Sequence, residues 1–344
     1  MQKYTHILMR AITYISDITT QIALLRSYMN QNTFAQGIKP TNHTLLNTSE
    51  FMNYRIAKDK TAGVIMTVFT FTSLLLVVAM AIGLWLKSSD ILAEHSLWDL
   101  LTASEWKPNK NQFGFLAFLA GTFYVTGVAT LIALPISLLM AVLLTEYSRS
   151  IVRRYIYPLL DILSSLPSVI YGVWGTLVIV PIVSNIVGPA VGTSTSGYTL
   201  LSGAVVLSVM ILPLLVSLFM EIFDNVSHEL REASLSLGAT RWQTTKYVVM
   251  KAGLSGIVAS TVLAISRALG ETIAVLMVCG NLIKIPHSLL DACYPIPALI
   301  ANNYGEMLSL PLYESALMFA AFILFFVVLV FNLSSRLYLK RIKN

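Results

Sequence analysis

The sequence predicts an all-α polytopic membrane protein with six transmembrane helices, and three observations carry that prediction. Of its 344 residues 56% are hydrophobic and only 12% are charged, about half the roughly 25% of an ordinary soluble domain. The mean hydropathy is +0.73, so few charges remain to cover a globular surface. The apolar residues gather into stretches long enough to cross a bilayer, which takes about 20 residues as a helix. Together these exclude a disordered chain, a nucleic-acid-wrapping protein and a soluble enzyme. The net charge of +6 would suggest nucleic acid in a soluble protein; here its distribution along the chain matters instead. Cys279 and Cys293 are too few for a disulfide framework, and the five histidines show no metal-ligand spacing.

Residues 62–86 hold no charge and form the cleanest first span. Residues 112–145 are uncharged too and exceed one span; with Pro135 inside, they are expected to form one tilted or kinked helix, with the excess at its entrance. Residues 162–183 make a third span broken by Pro167, followed by 198–220, 252–279 and 316–335. Pro135 and Pro167 are expected to kink their spans, leaving carbonyls that the bundle must satisfy. The chain therefore divides into an amino-terminal segment, 1–61, and a transmembrane domain, 62–344, with its longest polar connection at 221–251.

Six spans put both termini on one side of the membrane. On that side fall eighteen basic residues: Lys3 to Lys60, Arg149 to Arg154, Arg231 to Lys251 and Arg336 to Lys343. The other side carries only Lys87, Lys107, Lys110 and Lys284. The excess of Lys and Arg marks the cytoplasmic face, so both termini are expected to be cytoplasmic, in a membrane such as the bacterial inner membrane. The first 61 residues contain no apolar run of signal-peptide length, so no cleaved targeting segment is expected. Leu8, Ile12, Ile15, Ile18, Ile22, Leu25 and Met29 recur at helical spacing. They suit an amphipathic helix on the inner leaflet or one packed on the bundle. Residues 41–49 are polar and suggest a linker. Trp85, Trp98, Trp106 and Trp174 suit interface anchors, Asp161 an interfacial pair with Arg153 or Arg154, and Cys279 a small apolar position.

No GxxxxGK[ST] phosphate loop occurs, nor HExxH, CxxC or GxSxG, so any nucleotide that drives this chain is bound by another subunit. The connection 221–251 holds four acidic and four basic residues. A helical run from Ser227 to Leu237 stops at Gly238, a residue suited to a C-terminal cap, and Ala239 to Arg241 turn into a second segment. A short helix, a glycine turn and a second helix would project rigidly from the membrane, although an ordinary connecting loop fits the periodicity equally.

Arg267 and Glu271 stand inside the fifth apolar stretch, and a charge at the bilayer centre costs at least about 2.5–3.5 kcal/mol on insertion scales. In a continuous helix Arg267 lies about 22 Å along from Ala252 at 1.5 Å per residue. It would share one face with Glu271, Ser260 and Gly256, a polar stripe suited to lining a pathway. A buried ion pair that only holds the bundle is the alternative; the base-before-acid order weakens it, because acid before base is the better arrangement. Arg267 offers five fixed donors suited to an oxyanion. Glu271 as a carboxylate could accept a hydrogen bond from an oxyanion that keeps an acidic proton at neutral pH.

The segment Glu232-Ala233-Ser234, three residues, Gly238, nine residues and Val248 to Lys251 resembles the EAA loop of ABC-importer permeases. It departs from that pattern at Ser234, Met250 and Lys251, where Ala, Leu and Pro are usual. A second resemblance is narrower. Arg267-Ala268-Leu269-Gly270-Glu271-Thr272, followed by Ala274 to Val278 and Gly280-Asn281, is similar to phosphate importer permeases of the PstC type. Residues 166–172 are similar to the same family, as are Gly121, Thr122, Thr126, Pro135 and Glu146 and, in the outer loops, Glu105-Trp106, Gln112 to Gly114 and Ile285 to Leu289. The likeness spans about residues 60–340.

The resemblance implies a type I ABC importer permease fold. It implies a coupling loop in which Glu232, Ala233, Ser234, Gly238 and Arg241 contact or shape the contact with an ATPase, and a substrate pathway past Arg267, Glu271, Ser260 and Thr272. It implies no cofactor in this chain, ATP and Mg being bound by a dimer of ATP-binding subunits. Its other implied partners are a homologous PstA-type permease, a periplasmic phosphate-binding protein docking on 87–111 and 282–313, inorganic phosphate and the lipid bilayer, but no nucleic acid. Sulfate or molybdate permeases of the same superfamily, an ion-coupled anion transporter, and a non-transporting sensor of phosphate status remain as other readings.

Overall fold

The computed structural model describes residues 42–305 and 311–343, and the chain divides between Val77 and Val78 into two units. The described part of the first is helical throughout and belongs to α1 (Asn42–Lys87). Residues 42–49, expected as a linker, lie within this helix. Three threonines of α1 return their hydroxyls to the carbonyl four residues back, as Thr67 does to Gly63 at 2.8 Å, so they bring no unsatisfied donor into an apolar environment. The amphipathic run from Leu8 to Met29 lies outside the described residues.

The second unit opens with two short helices, α2 (Ser89–Glu94) and α3 (Leu97–Thr102), and a two-stranded hairpin, β1 (Trp106–Lys107) and β2 (Gln112–Phe113). Its turn places Asn111 at φ +53°, a conformation asparagine tolerates better than most residues. Trp106 is buried rather than an interface anchor. Its ring meets Phe113, Phe115, Phe118 and Tyr313 at 5.2–5.9 Å between centroids, and this edge-to-face cluster ties the hairpin to the helices around it. Trp85 and Trp98 are exposed.

Then follow α4 (Leu116–Tyr147), α5 (Ser150–Ser165), α6 (Ser168–Ala190), α7 (Leu200–Asp224), α8 (His228–Ser236), α9 (Arg241–Ala252), α10 (Leu254–Leu269), α11 (Ile273–Val278), α12 (Ile296–Asn303) and α13 (Pro311–Lys343). Helix α7 is central. Two-thirds (67%) of its apolar window is buried, against 28–33% for α4, α6 and α13, and it packs along α4, α5 and α10. Its N-cap Thr199 accepts from Ser202 N at 3.2 Å, which fixes the start of the helix. Helix α4 runs on through Pro135 and closes in a π-turn at Leu143–Tyr147.

Among the described residues five helices are long and apolar enough to span a membrane, and six if the bent pair α9–α10 counts as one. Two expected spans differ in form. The third, expected over 162–183, is α6 (Ser168–Ala190), with α5 a separate helix before it. Leu166 is extended and Pro167 caps α6, because a residue before proline is pushed out of the helical region. The fifth is not continuous over 252–279. It bends by 67° at Gly253 between α9 and α10, where Gly253 and Gly256 lie against Ile222, and it breaks again at Gly270–Thr272 before α11.

Candidate functional site

The two helix breaks lie beside each other. Helix α6 packs against α11, and its glycines permit the close approach. A Cβ at Gly172 would lie 2.7 Å from Met277 Sδ and 3.3 Å from Ala274 Cα. One at Gly175 would lie 2.5 Å from Val206 Cγ2 and 3.0 Å from Val278 Cγ1. Arg267, in the last turn of α10, reaches across and donates from Nη2 to the Ser164 carbonyl at 3.4 Å, in the last turn of α5. A cation there meets the negative end of the α5 dipole. Ser164 borders the same cleft as Leu214 and Ser217 of α7, so the break lies well inside the length of that helix.

This geometry corrects the polar stripe expected from spacing. Gly270 ends α10, its N–H bonding Arg267 O at 3.2 Å while Glu271 N bonds Ala268 O at 3.2 Å, so Glu271 leaves the helix instead of sitting one turn above Arg267. The two side chains form no ion pair. Glu271 Oε1 accepts from Ala274 N at 3.4 Å, and Thr272 donates from Oγ1 to Gly270 O at 3.1 Å; both brace the turn into α11. Arg267, Glu271 and Thr272 therefore meet at one break. Ser260 is separate: it is buried, two turns back along α10, on the stretch that Gly256 sets against Ile222 of α7.

Below the break a cleft of about 490 Å³ is lined by Tyr157, Asp161 and Ser164 of α5 and by Ser217, Glu221 and Asp224 of α7. Arg153 pairs with Asp224, not with Asp161, and Tyr157 Oη donates to Asp224 Oδ2 at 2.9 Å. These contacts fasten α5 to the end of α7. At the far end of α10, Ser266 donates to Asn332 Oδ1 at 3.2 Å, which ties the Arg267 turn to α13.

The second candidate surface is the projection after α7. Helix α8 ends in a Schellman motif: Ala239 N bonds Ser234 O at 3.3 Å and Gly238 N bonds Leu235 O at 3.0 Å. Gly238 has φ +82° and nothing within 4 Å of the place a Cβ would occupy, so backbone conformation alone calls for glycine. Thr240 then starts α9 with a capping box, accepting from Gln243 N at 3.3 Å while Gln243 Oε1 accepts from Thr240 N at 2.8 Å. Ser234 and Thr244 hydroxyls meet at 3.0 Å and pin the two helices together. Glu232, Ala233 and Arg241 are exposed.

Sequence reasoning missed what holds this projection to the bundle. Arg231 donates to Glu146 Oε1 at 2.9 Å and to the Val226 and Phe223 carbonyls at 2.6 and 2.7 Å. Its partner is 85 residues away in the chain, and no spacing rule reaches that far.

Residues 133–344 match the family described as "Binding-protein-dependent transport system inner membrane component". Over 256 residues the chain is 35% identical to the phosphate transport system permease protein PstC of Xylella fastidiosa, covering 70% of this chain and 78% of that protein. Over 283 residues it is 34% identical to PstC of Mesorhizobium japonicum, covering 78% and 86%. A probable PstC of Methanocaldococcus jannaschii is 34% identical over 261 residues, 71% and 82% of the two chains. Among solved structures, a bacterial ABC transporter involved in the import of the acidic polysaccharide alginate superposes with a TM-score of 0.55 at 16% identity, over 82% of this chain and 98% of that one; it supports the fold alone. On the matched residues and these relatives, the chain belongs to the family of binding-protein-dependent transport system inner membrane components, the permease subunits of ABC importers.

Proposed function

We propose that this chain lines the pathway of an ATP-driven importer of inorganic phosphate. As a multi-pass permease it works with ATPase subunits and a substrate-binding protein; it hydrolyses no ATP itself. The finer assignments belong to the proposal: a PstA-type partner permease, a phosphate-binding protein on the outer loops, no cofactor of its own, and a bacterial inner membrane with both termini cytoplasmic. The names of the relatives support phosphate.

The observation that carries the pathway is the meeting of two broken helices at Arg267. Discontinuous helices at membrane depth are tolerated where they line a cavity, and the positive N-terminal end of a long half-helix such as α6 favours an anion. Arg267 adds a guanidinium there, a fork suited to two phosphate oxygens. Glu271 and Thr272 offer an acceptor and a hydroxyl at the same turn, whereas Ser260, being buried, supports the helix that carries them. In the mechanism, closure of the ATPase dimer moves α8 and opens the pathway outward, and hydrolysis resets it. Each nucleotide state must hold α8 differently for this to occur.

The test is uptake into proteoliposomes holding the full complex, with ATP inside and the binding protein outside, comparing labelled phosphate with labelled sulfate and molybdate. ATP-dependent phosphate uptake unaffected by excess sulfate supports the proposal. Uptake of sulfate or molybdate in its place overturns the substrate, and uptake independent of ATP overturns the mechanism in favour of ion coupling.

A further inference from the structure

We propose that the Arg231–Glu146 pair is the link through which motion of the α8 projection reaches the transmembrane helix α4. The inference rests on the transport reading and assigns a positioning role to two residues outside both candidate sites. Helix α8 presents most of its surface to solvent, Glu232 and Ala233 included. Its second turn holds Arg231, which turns back towards the bundle. The side chains of Arg231 and Glu146 are only 15% and 14% exposed.

The guanidinium is spread over three acceptors, one on α7, one in the turn after it and one on α4. Nη1 bonds the Val226 carbonyl at 2.6 Å, while Nη2 serves the Phe223 carbonyl at 2.7 Å and Glu146 Oε1 at 2.9 Å. The carbonyls belong to the end of α7 and the turn that follows it, and the carboxylate to the π-turn that closes α4. A lysine could not satisfy this arrangement, because its single ammonium lacks the planar fork. A π-turn departs from regular helix geometry and is frequent where helices serve function. A push on α8 therefore reaches the end of α4 directly through this largely desolvated charge pair, and α4 packs along the central helix α7. The Ser234–Thr244 contact joins α8 to α9 instead.

The variants are Glu146→Gln, which keeps shape and an acceptor oxygen but removes the charge, and Arg231→Lys, which keeps the charge but loses the fork. Each is assembled with its partners in proteoliposomes, and phosphate imported per ATP hydrolysed is measured alongside complex yield. The expected result is a fall in that ratio of about tenfold or more, with basal ATP hydrolysis, measured without the binding protein, within about twofold of wild type. The charge-swapped double variant, Glu146→Arg with Arg231→Glu, is expected to recover part of the ratio lost in Glu146→Arg alone.

An unchanged ratio in well-assembled Glu146→Gln and Arg231→Lys complexes overturns the proposal. Failure of both variants to assemble overturns it too, making the pair a folding requirement. A wild-type complex that moves no phosphate refutes the substrate, not the link. The link is then read from stimulation of ATP hydrolysis by the binding protein, which the two variants should lose and which, if retained, refutes it.

Discussion

Replacing Gly238 by alanine isolates the conformational demand of the turn between α8 and α9. The glycine sits at φ +82° with open space where a Cβ would project, so no steric contact within the chain contributes to the cost. An L-residue in the left-handed region costs roughly 1–2 kcal/mol. At about 1.36 kcal/mol per tenfold, the turn shifts roughly five- to thirtyfold towards conformers lacking its two cap hydrogen bonds. Those bonds are Ala239 N to Ser234 O and Gly238 N to Leu235 O. The direct assay is amide hydrogen exchange of residues 234–240 in the assembled complex, where the Ala239 amide should lose protection by that factor. Asparagine tolerates the left-handed region better, so Gly238→Asn should lie between alanine and wild type. Unchanged protection in Gly238→Ala would refute the reasoning. Equal loss in both variants would show that a partner surface, not backbone conformation, forbids a side chain there.

Three further outcomes follow from the same geometry. Gly203→Ala would put a Cβ 2.3 Å from Cys279 Sγ and is expected to lower stability by roughly 1–3 kcal/mol; adding Cys279→Ala should restore most of it, and a thermal melt that shows no restoration would contradict the packing. Thr240→Ala removes the capping box of α9 and should cost about 0.5–2 kcal/mol, read as faster exchange of the Gln243 amide, which bonds Thr240 Oγ1. In the loop between α11 and α12, the N–H groups of His287 and Ser288 hold the Asp291 carboxyl below the usual aspartate range. Because the folded value is the lower one, the loop gains stability above the ordinary aspartate pKa and loses it as pH falls through the depressed value. Exchange of the His287 and Ser288 amides should therefore accelerate in acid, beyond the intrinsic pH effect, in wild type but not in Asp291→Asn.

Much of the fold was legible because bilayer chemistry leaves little choice: long uncharged stretches must be helices, and α1, α4, α7 and α13 fall where apolar length put them. Gly238 was legible for a local reason, a glycine following a helical run. The breaks were harder. Pro167 announced an interruption, but periodicity did not show that the residues before it, 150–165, form a helix of their own fastened by Arg153 to Asp224. The break at Gly270 was hidden because the apolar run continues through it, and the four-residue spacing of Arg267 and Glu271 suggested one face of one helix. Trp106 looks like an anchor in sequence; only the tertiary cluster of Phe113, Phe115, Phe118 and Tyr313 buries it. Glu146 and Arg231 are each ordinary in their local contexts, and their pairing exists only once α4 and α8 are folded together.

The most direct test of the central claim, that the anion passes Arg267 at the paired helix breaks, is phosphate uptake by the Arg267→Gln complex with ATP hydrolysis recorded in parallel. The account predicts that uptake is lost while ATP hydrolysis stimulated by the binding protein survives. Wild-type uptake would remove Arg267 from the pathway, and joint loss of uptake and stimulated hydrolysis would contradict the account by making its contact with Ser164 part of the coupling scaffold.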